Sequence, residues 1–246
     1  MISLGHLDLN VVENCNFRCT SCSHVSPLNT PWSMPMDMIE RDLLALKPFV
    51  QFQAINVLGG EPLLHKEIVE VLRLVKRIGV HVRHMVVITN GSLLARMPED
   101  FWNELDYLQI SIYAKLDLAN VELAKCKSDQ YQFGLGTTVF THFHKQFRTV
   151  PNDGSHFMSC HWRTNCHTVH RGHFALCPQS LFFPRAENED RFGDCLPLEG
   201  LTEDKLNRFL NRTEPLKTCQ RCCANEMKPE PWRESAKADW LKDSTQ

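Results

Sequence analysis

Polar and apolar residues alternate over residues 6–11, the period-two pattern of a strand with one covered face. The period then lengthens. Between Pro35 and Lys47 the apolar positions Ile39, Leu43 and Leu46 recur at helical spacing, and Pro48 ends the run. Residues 54–58 predict a second strand, and Ile68, Val71, Leu72, Val75 and Ile78 predict a helix stopped by Gly79. The apolar run Met85-Val86-Val87-Ile88 has the composition of a parallel strand covered on both faces. A short helix at 99–102, a strand at 108–113, a helix at 116–127 and a strand at 133–140 continue the alternation. The expected fold is therefore α/β, with a parallel sheet or partial barrel over residues 1–150.

After residue 150 the alternation stops, and residues 151–246 are expected to form a smaller C-terminal unit and tail. Residues 184–200, with two prolines and five acids, predict a solvated linker. Thr202 is placed to cap a helix carrying Leu206, Phe209 and Leu210. The tail from Pro229 is polar except for Trp232, Trp240 and Leu241, and is expected as a docked terminal segment rather than a site.

In parallel sheets function gathers at the C-terminal ends of the strands. Four stretches fall at such ends: Cys15-Asn-Phe-Arg-Cys19-Thr-Ser-Cys22, Gly59-Gly60-Glu61-Pro62, Thr89-Asn90-Gly91, and the pair Ser111 and Tyr113. Three thiolates at this spacing can hold a metal centre without saturating it, which leaves a vacancy for chemistry. His24 keeps a Cys-Cys-Cys-His zinc site open as an alternative. Gly59 and Gly60 lack a Cβ and so permit close backbone approach, and Pro62 biases Glu61 toward extended geometry.

Composition narrows the classes. The 246 residues are 43% hydrophobic and 23% charged with a net charge of −2, so no basic surplus suggests nucleic acid. No apolar run approaches the ~20 residues of a membrane span, and residues 1–6 lack signal-peptide character. A cytoplasmic protein is expected. Eleven cysteines, an odd number concentrated near the start and after residue 159, fit metal ligation better than disulfides in that compartment.

With the C-x3-C-x2-C loop after the first strand and Gly-Gly-Glu-Pro after the second, the chain resembles the radical S-adenosylmethionine (SAM) superfamily. The resemblance implies a partial parallel (β/α)6 barrel and a [4Fe–4S] cluster on Cys15, Cys19 and Cys22. It also implies SAM bound at the open iron and an electron donor such as flavodoxin or ferredoxin. Gly59, Gly60 and Glu61 correspond to the site of the SAM amino group, and Asn90 and Ser111 to contacts with its ribose and carboxylate. The family carries a bulky residue just before the third cysteine, near the adenine; Ser21 stands there, with Phe17 or His24 as substitutes. Tyr113 faces the same side as Ser111 and could reach substrate.

The later cysteines extend the resemblance. Cys160, Cys166, Gly172 and Cys177, followed by Cys219 and Cys222, resemble the shortened "twitch" form of the SPASM domain, which implies one auxiliary [4Fe–4S] cluster. Cys160, Cys177, Cys219 and Cys222 form the ligand set, with Cys166 the competitor, and structural zinc is the alternative. Cys223 is a spare ligand or hydrogen-atom donor; Cys126 and Cys195 are expected as buried thiols. His161, His167, His170 and His173 are expected to pack or hydrogen-bond around the second cluster. Lys145 and Arg148 could bind an anionic substrate group, with solvent exposure as the alternative.

The implied function is reductive SAM cleavage and hydrogen abstraction from a small polar substrate such as a sugar or aminocyclitol. An auxiliary cluster suits an oxidation of the alcohol-dehydrogenation type. A radical epimerase using Cys223, a peptide-modifying enzyme, a glycyl-radical activase and a non-catalytic iron–sulfur or zinc protein stay open.

Overall fold

The computed structural model describes residues 1–144, 147–148, 150–187, 191–223 and 229–234; the expectations for Lys145, Trp240 and Leu241 lie outside these. The expected alternation is present. β1 (Ile2–Val12), α1 (Met36–Leu46), β2 (Val50–Gly59), α2 (Ile68–Ile78), β3 (His81–Thr89), α3 (Glu99–Asn103), β4 (Tyr107–Ile112), α4 (Ala119–Tyr131) and β5 (Gly134–Val139) follow in order. β1 to β5 pair in parallel in the spatial order 5-4-3-2-1.

β1 to β4 each bury side chains in the core, whereas no residue of β5 is fully covered. Leu7, Leu9 and Val11 of β1 are fully buried in one cluster with Ile39, Leu43 and Leu46 of α1 and Val71, Leu72 and Val75 of α2. Burial of each such side chain stabilises the fold by about 1.5–3 kcal/mol. The intervening residues of β1 face the other way: Asp8 accepts a hydrogen bond from Asn56 Nδ2 at 2.7 Å across to β2. One side of the sheet is thus oily, and the other carries polar groups below the strand ends.

The sixth strand departs from expectation. β6 (His142–His144) leaves the main sheet and pairs with a late segment. Beyond α5 (His161–Asn165), β7 (Cys166–His170) adds in parallel to the opposite edge, beside β1, with His6 opposite Cys166. β8 (His173–Ala175) then turns back antiparallel, followed by α6 (Pro178–Phe182) and β9 (Leu196–Pro197). The eight-stranded sheet therefore runs across residue 150, and β1 is interior, between β2 and β7.

The described residues of 184–200 do not form a solvated linker. Arg185 Nη1 and Arg191 Nη1 reach the Glu13 carboxylate at 3.0 and 2.7 Å, and Cys195 and Leu198 are buried. Charge complementarity with Glu13 fixes what composition alone assigns to solvent. α7 (Glu203–Leu210) begins as expected, with Thr202 Oγ1 accepting from Lys205 N–H. The late strand β10 (Pro229–Pro231) pairs antiparallel with β6. Among the described residues no helix is long and apolar enough to cross a membrane.

Candidate functional site

The loop after β1 brings its three cysteines to a cavity of about 470 Å³. Leu58, Gly59 and Gly60 line it from β2 and its end, Ile88, Thr89 and Asn90 from β3 and its end, and Ser111 and Tyr113 from β4 and its end. Cys15, Cys19 and Cys22 share that wall, so the separate motifs of the sequence converge on one void.

The two glycines are required by the chain itself. A Cβ on Gly59 would stand 2.2 Å from the Val12 carbonyl oxygen, and one on Gly60 2.1 Å from that of Asn14. Gly60 N–H donates to Val12 O at 2.8 Å and Glu61 N–H to Asn14 O at 3.0 Å. Their freedom serves first to seat the end of β2 on the root of the cysteine loop, and they line the cavity from that position.

Glu61 turns inward. Its carboxylate accepts from Thr89 Oγ1 at 2.6 Å, Asn90 N–H at 2.8 Å and Leu63 N–H at 3.1 Å, and it does not line the cavity. Burial pushes its pKa up to about 7, against the pull of those three hydrogen bonds. Glu61 therefore clamps the ends of β2 and β3 together rather than presenting its charge to a ligand. Asn90 is also engaged: Nδ2 donates to Asn16 Oδ1 at 2.9 Å and lies 3.6 Å from Cys15 Sγ, while Oδ1 accepts from Ser92.

Donors already point at the sulfurs. Phe17 N–H donates to Cys15 Sγ at 3.3 Å, and Trp232 Nε1 to Cys19 Sγ at 3.1 Å. Burial pushes the Cys19 thiol up to about 12, the Cys22 sulfur adding to the effect, and burial drives Cys15 higher still. Thiols that oppose one another's ionisation make poor free thiolates, and a bound cation supplies the charge they lack. Among the described residues no three His, Cys, Asp or Glu groups are gathered to hold one metal ion. A three-thiol wall open to a cavity fits a multi-iron group with a free position better than a closed zinc site.

Ser21 sits in this loop with φ 61°, a left-handed conformation rare for a residue with a Cβ, and lines the cavity. Phe17 and His24 line it too. Phe17 meets Tyr113 edge to face at 6.0 Å, and burial lowers the His24 pKa to about 4, leaving a neutral ring 5.1 Å from that of Phe182. Two aromatic faces are thus present where Ser21 has none. Tyr113 also stacks on Phe140 at 5.3 Å, and burial pushes its hydroxyl well above the ordinary tyrosine range.

Cys160, Cys177, Cys219 and Cys222 line a second, small void of about 20 Å³. Burial pushes Cys177 up to about 12 and Cys219 to about 11. Cys166 does not line this void; it faces the neighbourhood of Asp8 from β7, and burial raises its thiol to about 12. Cys223 lines neither space. Cys195 is buried as expected, whereas Cys126 is exposed on α4, whose weakly amphipathic sequence leaves that position outside the core. Three of the four histidines pack elsewhere: His170 bonds to Glu13 and the Asn10 carbonyl, His167 stacks on Phe174, and His173 on Phe192, whereas His161 follows Cys160 and meets the Trp162 ring edge to face at 6.4 Å.

Two tryptophans that the sequence does not assign to a site belong here. Trp162 lines both voids. Trp232, in the late segment read as a mere docked end, bonds to a cysteine of the first set. An aromatic side chain in an otherwise polar tail was the available signal.

Residues 9–114 match the model of the Radical SAM superfamily. A GTP 3',8-cyclase of Helicobacter pylori is 31% identical over 130 residues, 52% of this chain and 37% of the relative. A probable GTP 3',8-cyclase of Pyrococcus abyssi is 29% identical over 134 residues, 54% and 39% of the respective chains. The match thus spans little more than a third of the length of these curated relatives. Among solved structures, BtrN in complex with AdoMet and 2-DOIA has a TM-score of 0.57 at 16% identity, covering 88% of this chain and 84% of that one. This likeness is one of fold.

Proposed function

We propose that this chain, whose residues 9–114 form a radical SAM domain, oxidises a small polar substrate of sugar or aminocyclitol type with the help of a second iron–sulfur cluster. Cys15, Cys19 and Cys22 would hold the first cluster, and Cys160, Cys177, Cys219 and Cys222 the second. When bound, the first cluster and SAM supply, with one electron from a donor such as flavodoxin or ferredoxin, methionine and a 5′-deoxyadenosyl radical that removes a substrate hydrogen atom.

The chain's own residues then have distinct tasks. Gly59 and Gly60 offer backbone at the cavity wall, while Glu61 holds that wall from behind. Phe17 and His24 give apolar faces for an adenine, and Ser111 a hydroxyl at the β4 end. Tyr113, its hydroxyl protonated, closes the side of the cavity shared with Phe140.

The observation that carries the oxidative reading is Trp162, a wall of both voids. A carbon radical next to a hydroxyl becomes a carbonyl by losing one electron and the hydroxyl proton. The electron needs an acceptor close by, and among the described residues Trp162 borders both the cavity and the void of the second cysteine set. BtrN, the fold relative with AdoMet and 2-DOIA, is consistent with a SAM site beside a small-molecule site in such a fold.

The name borne by the curated relatives supplies a rival substrate, GTP. A triphosphate calls for cationic side chains, and the described residues lining the cavity include neither Lys nor Arg. Anaerobic loading with iron and sulfide, reduction, and incubation with SAM and either a panel of sugars and aminocyclitols or GTP tests the choice. Two clusters correspond to about eight irons per chain. Substrate-dependent 5′-deoxyadenosine with a ketone or aldehyde product supports the oxidase; stimulation by GTP alone overturns the substrate class.

A further inference from the structure

The segment from Pro229 to Glu234 lies across the cysteine loop as a strap. β10 pairs with β6, Trp232 N–H donates to Thr141 O at 3.0 Å, and Arg233 O accepts from Thr20 N–H at 3.0 Å and Thr20 Oγ1 at 3.2 Å. Lys115 Nζ pairs with Glu234 at 2.8 Å, completing the attachment. Between these anchors the Trp232 ring stacks on Tyr113 at 5.7 Å and stands 6.4 Å from Phe17. Trp232 is held through its backbone and through its ring contacts, and its one indole N–H is aimed at Cys19 Sγ, 3.1 Å away.

Resting on the reading that Cys15, Cys19 and Cys22 hold a cluster, we propose that Trp232 is a positioning residue that sets the cluster's reduction potential through this hydrogen bond. An indole N–H is donor only, and a buried one needs an acceptor. A ligating thiolate is a better acceptor than a thiol, because the bond becomes charge-assisted. One-electron reduction adds negative charge to the cluster and its sulfurs, so the N–H stabilises the reduced form more than the oxidised form. Hydrogen bonds to the sulfurs are among the levers that tune iron–sulfur potentials. Trp232 therefore eases delivery of the electron by the external donor, and it does so from about 210 residues along the chain from its target.

The test is Trp232→Phe, which keeps the aromatic face against Tyr113 and deletes the N–H. In an EPR-monitored redox titration of the signal that responds to SAM, the ratio of reduced to oxidised cluster at fixed potential should fall roughly tenfold, about 59 mV for one electron. Trp232→His, which keeps a ring N–H, should recover part of the shift. A variant with full iron and an unchanged midpoint overturns the proposal. Should the variant lose iron, wild-type protein carrying indole-¹⁵N tryptophan decides: pulsed EPR of the reduced cluster should show a ¹⁵N coupling, and its absence overturns the role. A wild-type chain that takes up no cluster sinks the functional reading itself, whereas a loaded wild type with no shift in the variant sinks only the role of Trp232.

Discussion

The Glu61 carboxylate and the Asn90 backbone N–H meet at 2.8 Å in the interior and tie the end of β2 to the end of β3. Burial raises the Glu61 pKa from an ordinary 4.5 to about 7. A group protonated longer in the folded than in the unfolded chain contributes stability that is whole below about pH 4.5 and lost as pH rises through about 7. The displacement corresponds to on the order of 3 kcal/mol. Denaturant melts at pH 5 and pH 8 should show wild type losing that increment and Glu61→Gln lacking it. Equal pH slopes for the two proteins would count against the buried carboxylate.

Glu13 behaves in the opposite sense. It is buried two residues before Cys15 and meets His170, Arg171, Arg185 and Arg191 within 3.0 Å. Burial acts to raise its pKa, but the His170 hydrogen bond and the Arg191 charge outweigh it and hold it near 2. Its stabilising contribution is present above pH 4.5 and fades as pH falls toward 2. Glu13→Ala strands several cations and should cost about 3–5 kcal/mol at pH 7. The same comparison at pH 3 should give a smaller difference, since below the ordinary value of 4.5 the unfolded chain takes up a proton that the folded carboxylate, held near 2, still resists.

Gly60→Ala would force a Cβ into the Asn14 carbonyl, where backbone cannot yield cheaply. The expected cost is about 1–3 kcal/mol, with the strain falling on the root of the cysteine loop. SAM cleavage measured well below the variant's melting temperature should fall by more than the folded fraction does. Wild-type cleavage with unchanged stability would mean that the β2 end can shift without moving the cysteines.

The second cysteine set separates by position. Cys177→Ala and Cys219→Ala should each remove about four irons per chain, whereas Cys166→Ala should leave iron content unchanged, because Cys166 lies outside the shared void. Iron and sulfide analysis after anaerobic loading reads this directly. Loss of iron in Cys166→Ala with retention in Cys177→Ala would reassign the ligands.

Local chemistry made the first half of the chain legible. Ile68, Val71, Leu72, Val75 and Ile78 recur at helical spacing and are all buried in α2, because periodicity and packing ask for the same face. The cysteine spacing and the Gly-Gly-Glu-Pro run sit at strand ends for the same reason: alternation places the ends. What was not legible depends on partners far away in sequence. Cys166-His-Thr-Val-His170 carries no mark that it will pair with β1 rather than extend the sheet beyond β5. Arg185 and Arg191 look like solvent charges until Glu13 is beside them, and Trp232 looks like a stray aromatic until Cys19 is. Even Glu61, correctly located, turns inward because Thr89 and Asn90 offer it three-dimensional company that sequence order conceals.

The central claim is that Cys15, Cys19 and Cys22 form a SAM-cleaving site. Its most direct test is production of 5′-deoxyadenosine by the anaerobically iron-loaded, reduced protein, set beside Cys15→Ala, Cys19→Ala and Cys22→Ala. The account predicts 5′-deoxyadenosine from wild type and none above background from any of the three variants; no product from a wild type shown to carry iron and sulfide, or equal product from the variants, would contradict it.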